Sequence, residues 1–175
     1  LGSPQFRPLT SDLMINLYMV FMDTVWRHTN PTGIAALLHP ESHFTDPKAA
    51  ALRSNTYRRL TRHFQFLNGL FLFEDVHDMT VFGIHCYRRP GELEFQQSSY
   101  LFHPDMVDRS FGHDGSGEAP GIQYPEGGWD LRPHKDRVLT INEDVLADWA
   151  KLFDEPGTSP SEARLLRPVT VADLE

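Results

Sequence analysis

The sequence predicts an α+β fold in which N-terminal helices pack on a curved antiparallel sheet. Three observations predict it: an apolar, helix-length run near the N-terminus, a middle region of alternating apolar and polar residues, and an amphipathic helical pattern near the C-terminus. A chain of 175 residues, 40% apolar and 11% aromatic, is long enough to bury the core of one domain.

Leu13 to Trp26 holds eleven apolar residues in fourteen, and its polar positions Asp12, Asn16, Asp23 and Arg27 fall on one narrow stripe at helical spacing. Such a helix is expected to be covered on nearly every side, by the sheet, by other helices or by a second chain. Thr10 or Ser11 supplies its N-cap, and His28 to Pro31 ends it. Thr32 to Leu38 reads as a brief second helix, Ser42 to Thr45 as a short strand, and Ser54 or Asn55 as the cap of a third helix reaching Leu67. Tyr57, Leu60, Phe64 and Leu67 form the apolar face of that third helix.

Gly69 opens a β region with strands at Leu70 to Phe73, Met79 to Tyr87 and Leu93 to Phe102, the last two joined as an antiparallel pair by Arg89-Pro90-Gly91-Glu92. His103 to Pro133 contains six glycines and four prolines, and reads as a long excursion or functional loop. Arg137 to Ile141 then forms a strand, and Glu143 to Phe153 a C-terminal helix. The expected division is residues 1–4 as a vector scar, 5–156 as a single α+β domain, and 157–175 as a polar tail or linker.

The segment Gly33 to Asp46, with its Leu37-Leu38 pair before a strand, and the segment Arg137 to Asp144 resemble the nuclear transport factor 2-like superfamily (NTF2-like), as does the order of helices followed by antiparallel strands. The resemblance spans about residues 10 to 142. It implies a cone-shaped curved sheet wrapped around helices. That fold hosts isomerases, dehydratases, cyclases and protein-binding domains, so it leaves function open. The glycine-rich loop and terminal helix stand where the family has further long strands.

Net charge is −8, yet Pro47 to Phe73 carries Lys48, Arg53, Arg58, Arg59 and Arg62 with no acid. Arg53, Arg58, Arg59 and Arg62 could serve RNA, or a solvated helix face. His85 on a strand, with Asp75 and Asp78 in the preceding turn, is a candidate base and orienting pair inside a pocket; the alternative is a polar turn beside an exposed histidine. His103, Asp105 and His134 have the composition of a two-histidine, one-carboxylate metal site, but no histidine follows His134. His39 and His43 are four apart, with Pro40 preventing a shared helix face. No nucleophile elbow, phosphate loop, paired Cys-x-x-Cys or dinucleotide fingerprint occurs, and no cofactor is implied. Trp129 and Tyr124 in the long loop are candidate anchors for a partner.

With one cysteine, Cys86, there is no intrachain disulfide, and an intracellular setting, cytoplasmic or nuclear, is expected. No apolar run approaches the roughly 20 residues of a membrane span. The leading expectation is a non-enzymatic interaction or assembly domain acting as a homodimer or with a protein partner. A small-molecule enzyme or binder and an RNA-binding domain are the alternatives.

Overall fold

The computed structural model describes residue 9, residue 13 and residues 16–174; the vector-scar reading of residues 1–4, the caps at Thr10 and Ser11, and Asp12 lie outside the described residues. The chain folds as α1 (Leu17–His28), β1 (Ala35–His39), α2 (Ala50–Tyr57), β2 (Leu60–Leu67), β3 (Val81–Tyr87), β4 (Glu94–Leu101), α3 (Pro104–Phe111), β5 (Leu139–Asn142) and α4 (Glu143–Phe153). This is the expected α+β class, with helices on a curved five-stranded sheet ordered β1-β3-β2-β4-β5.

The sheet is mixed rather than purely antiparallel, because β2 sits between β3 and β4 and runs parallel to β4. The Arg89 to Glu92 connection therefore does not close a hairpin. It crosses the start of β2, where Arg88 and Gly91 donate backbone hydrogen bonds to the carbonyls of Arg59 and Arg58. One extra residue in β4 is absorbed opposite Phe64–Phe66, where Tyr100 adopts φ of +55°. That bulge turns Leu101 toward the outer face.

Four expected elements change identity. Thr32 to Leu38 contains β1, not a helix: Gly33 and Pro40 leave too few residues for a helical nucleus, whereas the antiparallel ladder with β3 satisfies the backbone. The third helix stops at Tyr57, and residues 60–67 form β2, whose side chains from His63 onward are buried or half-buried on both faces. A central strand of that kind carries apolar residues without strict alternation, so its spacing also satisfies a helical pattern. Ser42–Phe44 is a single 3₁₀ turn, and Leu70 to Phe73 is irregular.

The inner face of the sheet packs under α1, α2 and α4, with Met22, Leu52, Tyr57, Leu60, Phe95, Ile141 and Leu146 at the centre. The outer face forms a second cluster with α3 and the long loop, including Phe66, Phe82, Leu101, Phe102 and Met106. The glycine-rich loop is organised by buried Arg137, which donates to the carbonyls of Gly121, Asp130 and Arg132. In α1 the polar stripe is exposed only in part: Asn16 and Arg27 are exposed but Asp23 is buried, while Leu17 and Phe21 are each 57% exposed.

Residues 157–174, expected as a polar tail or linker, instead run across the inner layer and bury Ala163 and Leu165. Arg53 anchors them. Its guanidinium, itself buried, donates to the carbonyls of His43, Asp46 and Glu162, and Tyr57 donates to the carbonyl of Ala163. Arg53→Ala strands three carbonyls and should cost about 2–5 kcal/mol in chemical denaturation. It should also open residues 157–174 to limited proteolysis, while exposed Arg58→Ala changes stability by less than about 0.5 kcal/mol. Equal small effects from both would show that Arg53 does not hold this segment.

Candidate functional site

Strand register brings four histidines and a glutamate together on the inner face. His85 of β3 lies between Leu37 of β1 and His63 of β2, and Gly83 lies between His39 and Gln65. Just beyond β1 the chain turns at Pro40, so Glu41 folds back over Gly83 and His43 enters from the following 3₁₀ turn. Glu41, His63, His85, His39 and His43 are all buried.

Glycine at 83 is required by this approach. A Cβ there would lie 2.3 Å from His85 Cε1 and 2.5 Å from Glu41 Oε1, so any side chain would displace the carboxylate or the ring.

The hydrogen bonds set the protonation states. The carboxylate of Glu41 accepts at Oε1 from His63 Nε2 at 2.5 Å and at Oε2 from Gln65 Nε2 at 2.8 Å, with Arg167 at 3.5 Å from Oε2. Burial works to raise the Glu41 carboxyl, but the charge and hydrogen bond of His63, with Gln65 and Arg167, outweigh it and hold the group below its ordinary value. His39 Nδ1 donates to the Pro40 carbonyl, which leaves Nε2 to accept from the Tyr87 hydroxyl at 3.0 Å. The His39 ring stacks on His85 at 3.8 Å between centroids.

Burial, reinforced by the neighbouring imidazoles, pushes His43 and His85 well below the ordinary histidine value, and it pushes His39 down to about 4. Both ring nitrogens of His85, with His43 Nε2 and His63 Nδ1, are buried without a hydrogen-bond partner.

The residues nominated from sequence are distributed differently. His85 is in the cluster, but Asp75 and Asp78 are exposed in the β2–β3 connection and do not accompany it; Glu41 takes the carboxylate role. His103 caps α3 beside exposed Asp105, while His134 is buried against His113. Among the described residues, the histidine and acidic groups whose donor atoms converge are Glu41, His63 and His85.

The arginines do not share a helix face: Arg53 is internal, Arg58 caps α2, Arg59 stacks over Trp26 and Arg62 over Phe111 on β2. Trp129 stacks on Phe102 at 4.2 Å within the second cluster, and Tyr124 lies under Arg132. Cys86 is a half-buried free thiol.

A second surface is conspicuous for its exposure. On the outer face, an open groove of about 230 Å³ is lined by Leu38, Phe66, Leu72, Phe73, Phe82, Ile84 and Pro104. It borders β1, which among the described residues pairs only with β3. Ile34 is 70% exposed and Leu38 54%. No described helix is long and apolar enough to cross a membrane.

No protein-family model and no curated protein sequence matches the chain. Among solved structures it is similar to the type IIG restriction endonuclease BpuSI, at 16% identity over 85% of this chain, with a TM-score of 0.43. The chain spans 19% of the length of that protein.

The buried neutral rings make stability depend on pH. Unfolded, these histidines protonate below about pH 6.5, while folded they do not, so the unfolded chain binds more protons in that window. Stability is complete above that pH and falls as pH drops toward 4; His39 alone accounts for about 3 kcal/mol. Urea unfolding with EDTA present should show the free energy declining steadily from neutral pH to about pH 5. A flat profile would mean that the rings titrate normally in the fold.

Proposed function

We propose that the chain is a protein-interaction and assembly domain, and that its partner is a polypeptide segment adding a strand to the open edge of β1. The observation that supports this reading is the character of that edge. Edge strands in sheets are ordinarily guarded by lysine, proline, a bulge or a covering element. β1 reads Ala-Ala-Leu-Leu-His, with no charge or proline inside it, and its edge, unpaired among the described residues, runs directly into the apolar groove.

An incoming strand would satisfy the free backbone groups of β1 and place alternate apolar side chains beside Leu38, over Ile84 and Phe73. Leu17 and Phe21, one turn apart on α1, add apolar surface on the helix that packs on β1. Together these features match apolar surface of the first helix that the described residues leave exposed.

The test is sedimentation at high micromolar concentration, and affinity capture from extract, with the chain and with Leu38→Lys combined with Phe73→Lys. Both substituted positions are exposed, so the folded content should be unchanged by circular dichroism. The expected result is a self-association or a specific co-purifying polypeptide that the double variant loses, with slowed amide exchange over residues 34–39 in the assembled form. A monomer that recovers no polypeptide, or an assembly insensitive to the double variant, would refute the reading.

A further inference from the structure

The geometry points to a buried binding site for one divalent transition-metal ion of the zinc class, formed by Glu41 Oε1, His63 and His85. The inference is independent of the β1 edge. Two imidazoles and one carboxylate, each capable of offering one donor atom, converge within 4.8 Å of one another. Such a donor set suits zinc and neighbouring first-row ions rather than calcium or magnesium.

A second observation indicates that His85 faces a ligand. His85 is fully buried, yet neither of its ring nitrogens has a hydrogen-bond partner, and its Nε2 stands 3.9 Å from Glu41 Oε1, beyond hydrogen-bond range. A neutral imidazole desolvated at both nitrogens is costly unless something else coordinates it.

Donor spacing agrees. Ligands about 2.0–2.1 Å from a tetrahedral ion stand about 3.3 Å apart. The His63–Glu41 pair at 2.5 Å and the His85–Glu41 pair at 3.9 Å bracket that value, and all three donors lie within 4.8 Å of one another, so shifts of up to about 1.5 Å admit the ion.

The surrounding groups prepare the carboxylate. Gln65 and Arg167 hold Oε2, which leaves Oε1 directed at the histidines, and the missing side chain at Gly83 gives it room. His85 is fixed in plane by stacking on His39, itself locked by Pro40 and Tyr87. Metal binding through His63 Nε2 must move the proton that this nitrogen donates to Glu41, and the unpartnered Nδ1 of the same ring can take it. The three ligands come from β2, β3 and the turn after β1, so the ion would clasp three adjacent segments.

The experiment titrates the EDTA-treated chain with Zn²⁺ by calorimetry and with Co²⁺ by visible absorption. One ion per chain, with ligand-field bands, is expected. His85→Ala and Glu41→Gln should weaken binding at least about 100-fold, and Gln65→Met about tenfold. His103→Ala, at the exposed His103–Asp105 pair, should leave binding unchanged. Should either ligand variant fail to fold, His85→Phe keeps a ring stacked on His39 and must still abolish binding. Absence of saturable binding in the parent chain, binding that survives His85→Phe, or binding lost in His103→Ala would overturn the assignment.

Discussion

The insertion of β2 between β3 and β4 is the constraint on which the rest depends. A strand hydrogen-bonded on both sides has no free edge, and both its faces are claimed by protein. Its antiparallel register with β3 sets His63 beside His85 and Gln65 beside Gly83. Its parallel register with β4 carries Gln97 to the same face, where it donates to the carbonyl of Leu166 and holds the C-terminal segment down. The same order leaves β1 outermost, so one topological choice produces both the closed polar cluster and the open apolar border.

The inner face is divided along the strands. Toward the start of β2, Leu60, Tyr87, Phe95 and Ile141 make an ordinary apolar layer against α1, α2 and α4. Further along, β2, β3 and β4 present His63, His85 and Gln97, roofed by Glu41 and rimmed by half-exposed Arg167. Removing these groups from water is unfavourable for each one separately. The arrangement persists because most partners are shared: Glu41 is satisfied by His63 and Gln65, and His39 by Pro40 and Tyr87, which leaves the cost on both nitrogens of His85 and on one nitrogen each of His43 and His63.

Elements whose burial is one-sided were legible in the sequence. Glu143 to Phe153 shows a helical stripe and forms α4 over those residues, and the alternation from Val81 to Tyr87 and Glu94 to Leu101 marks β3 and β4. β2 was not legible, because a strand covered on both faces loses the period that distinguishes it from a buried helix. β1 was obscured by Ala-Ala-Leu-Leu, a helix-favouring string that becomes a strand only through a partner some 48 residues away. The packing of Ala163 and Leu165 depends on Arg53 and Tyr57, which no local pattern near residue 160 reveals. Of the site, only His85 was anticipated in a functional role. The pair His39 and His43 was discounted because Pro40 forbids a helix, although a proline-led turn at the end of a strand converges such residues just as well. The available signal was His-Pro-Glu-Ser-His leaving a strand, with His63 and His85 each on a later strand.

Side-chain alternation in β1 links the two surfaces. Leu38 points outward to the groove and His39 inward to the stack on His85, so the strand that borders the open edge also forms one wall of the polar cluster. Fraying of β1 would release His39 from Tyr87, remove the ring that holds His85 in plane, and loosen the turn that delivers Glu41. Anything that binds only the paired form of β1 therefore stabilises the cluster by mass action, and anything that binds the cluster stabilises the paired strand by the same free energy. The reciprocity needs no long pathway through the protein. It follows from two adjacent residues of one strand facing opposite sides of one sheet.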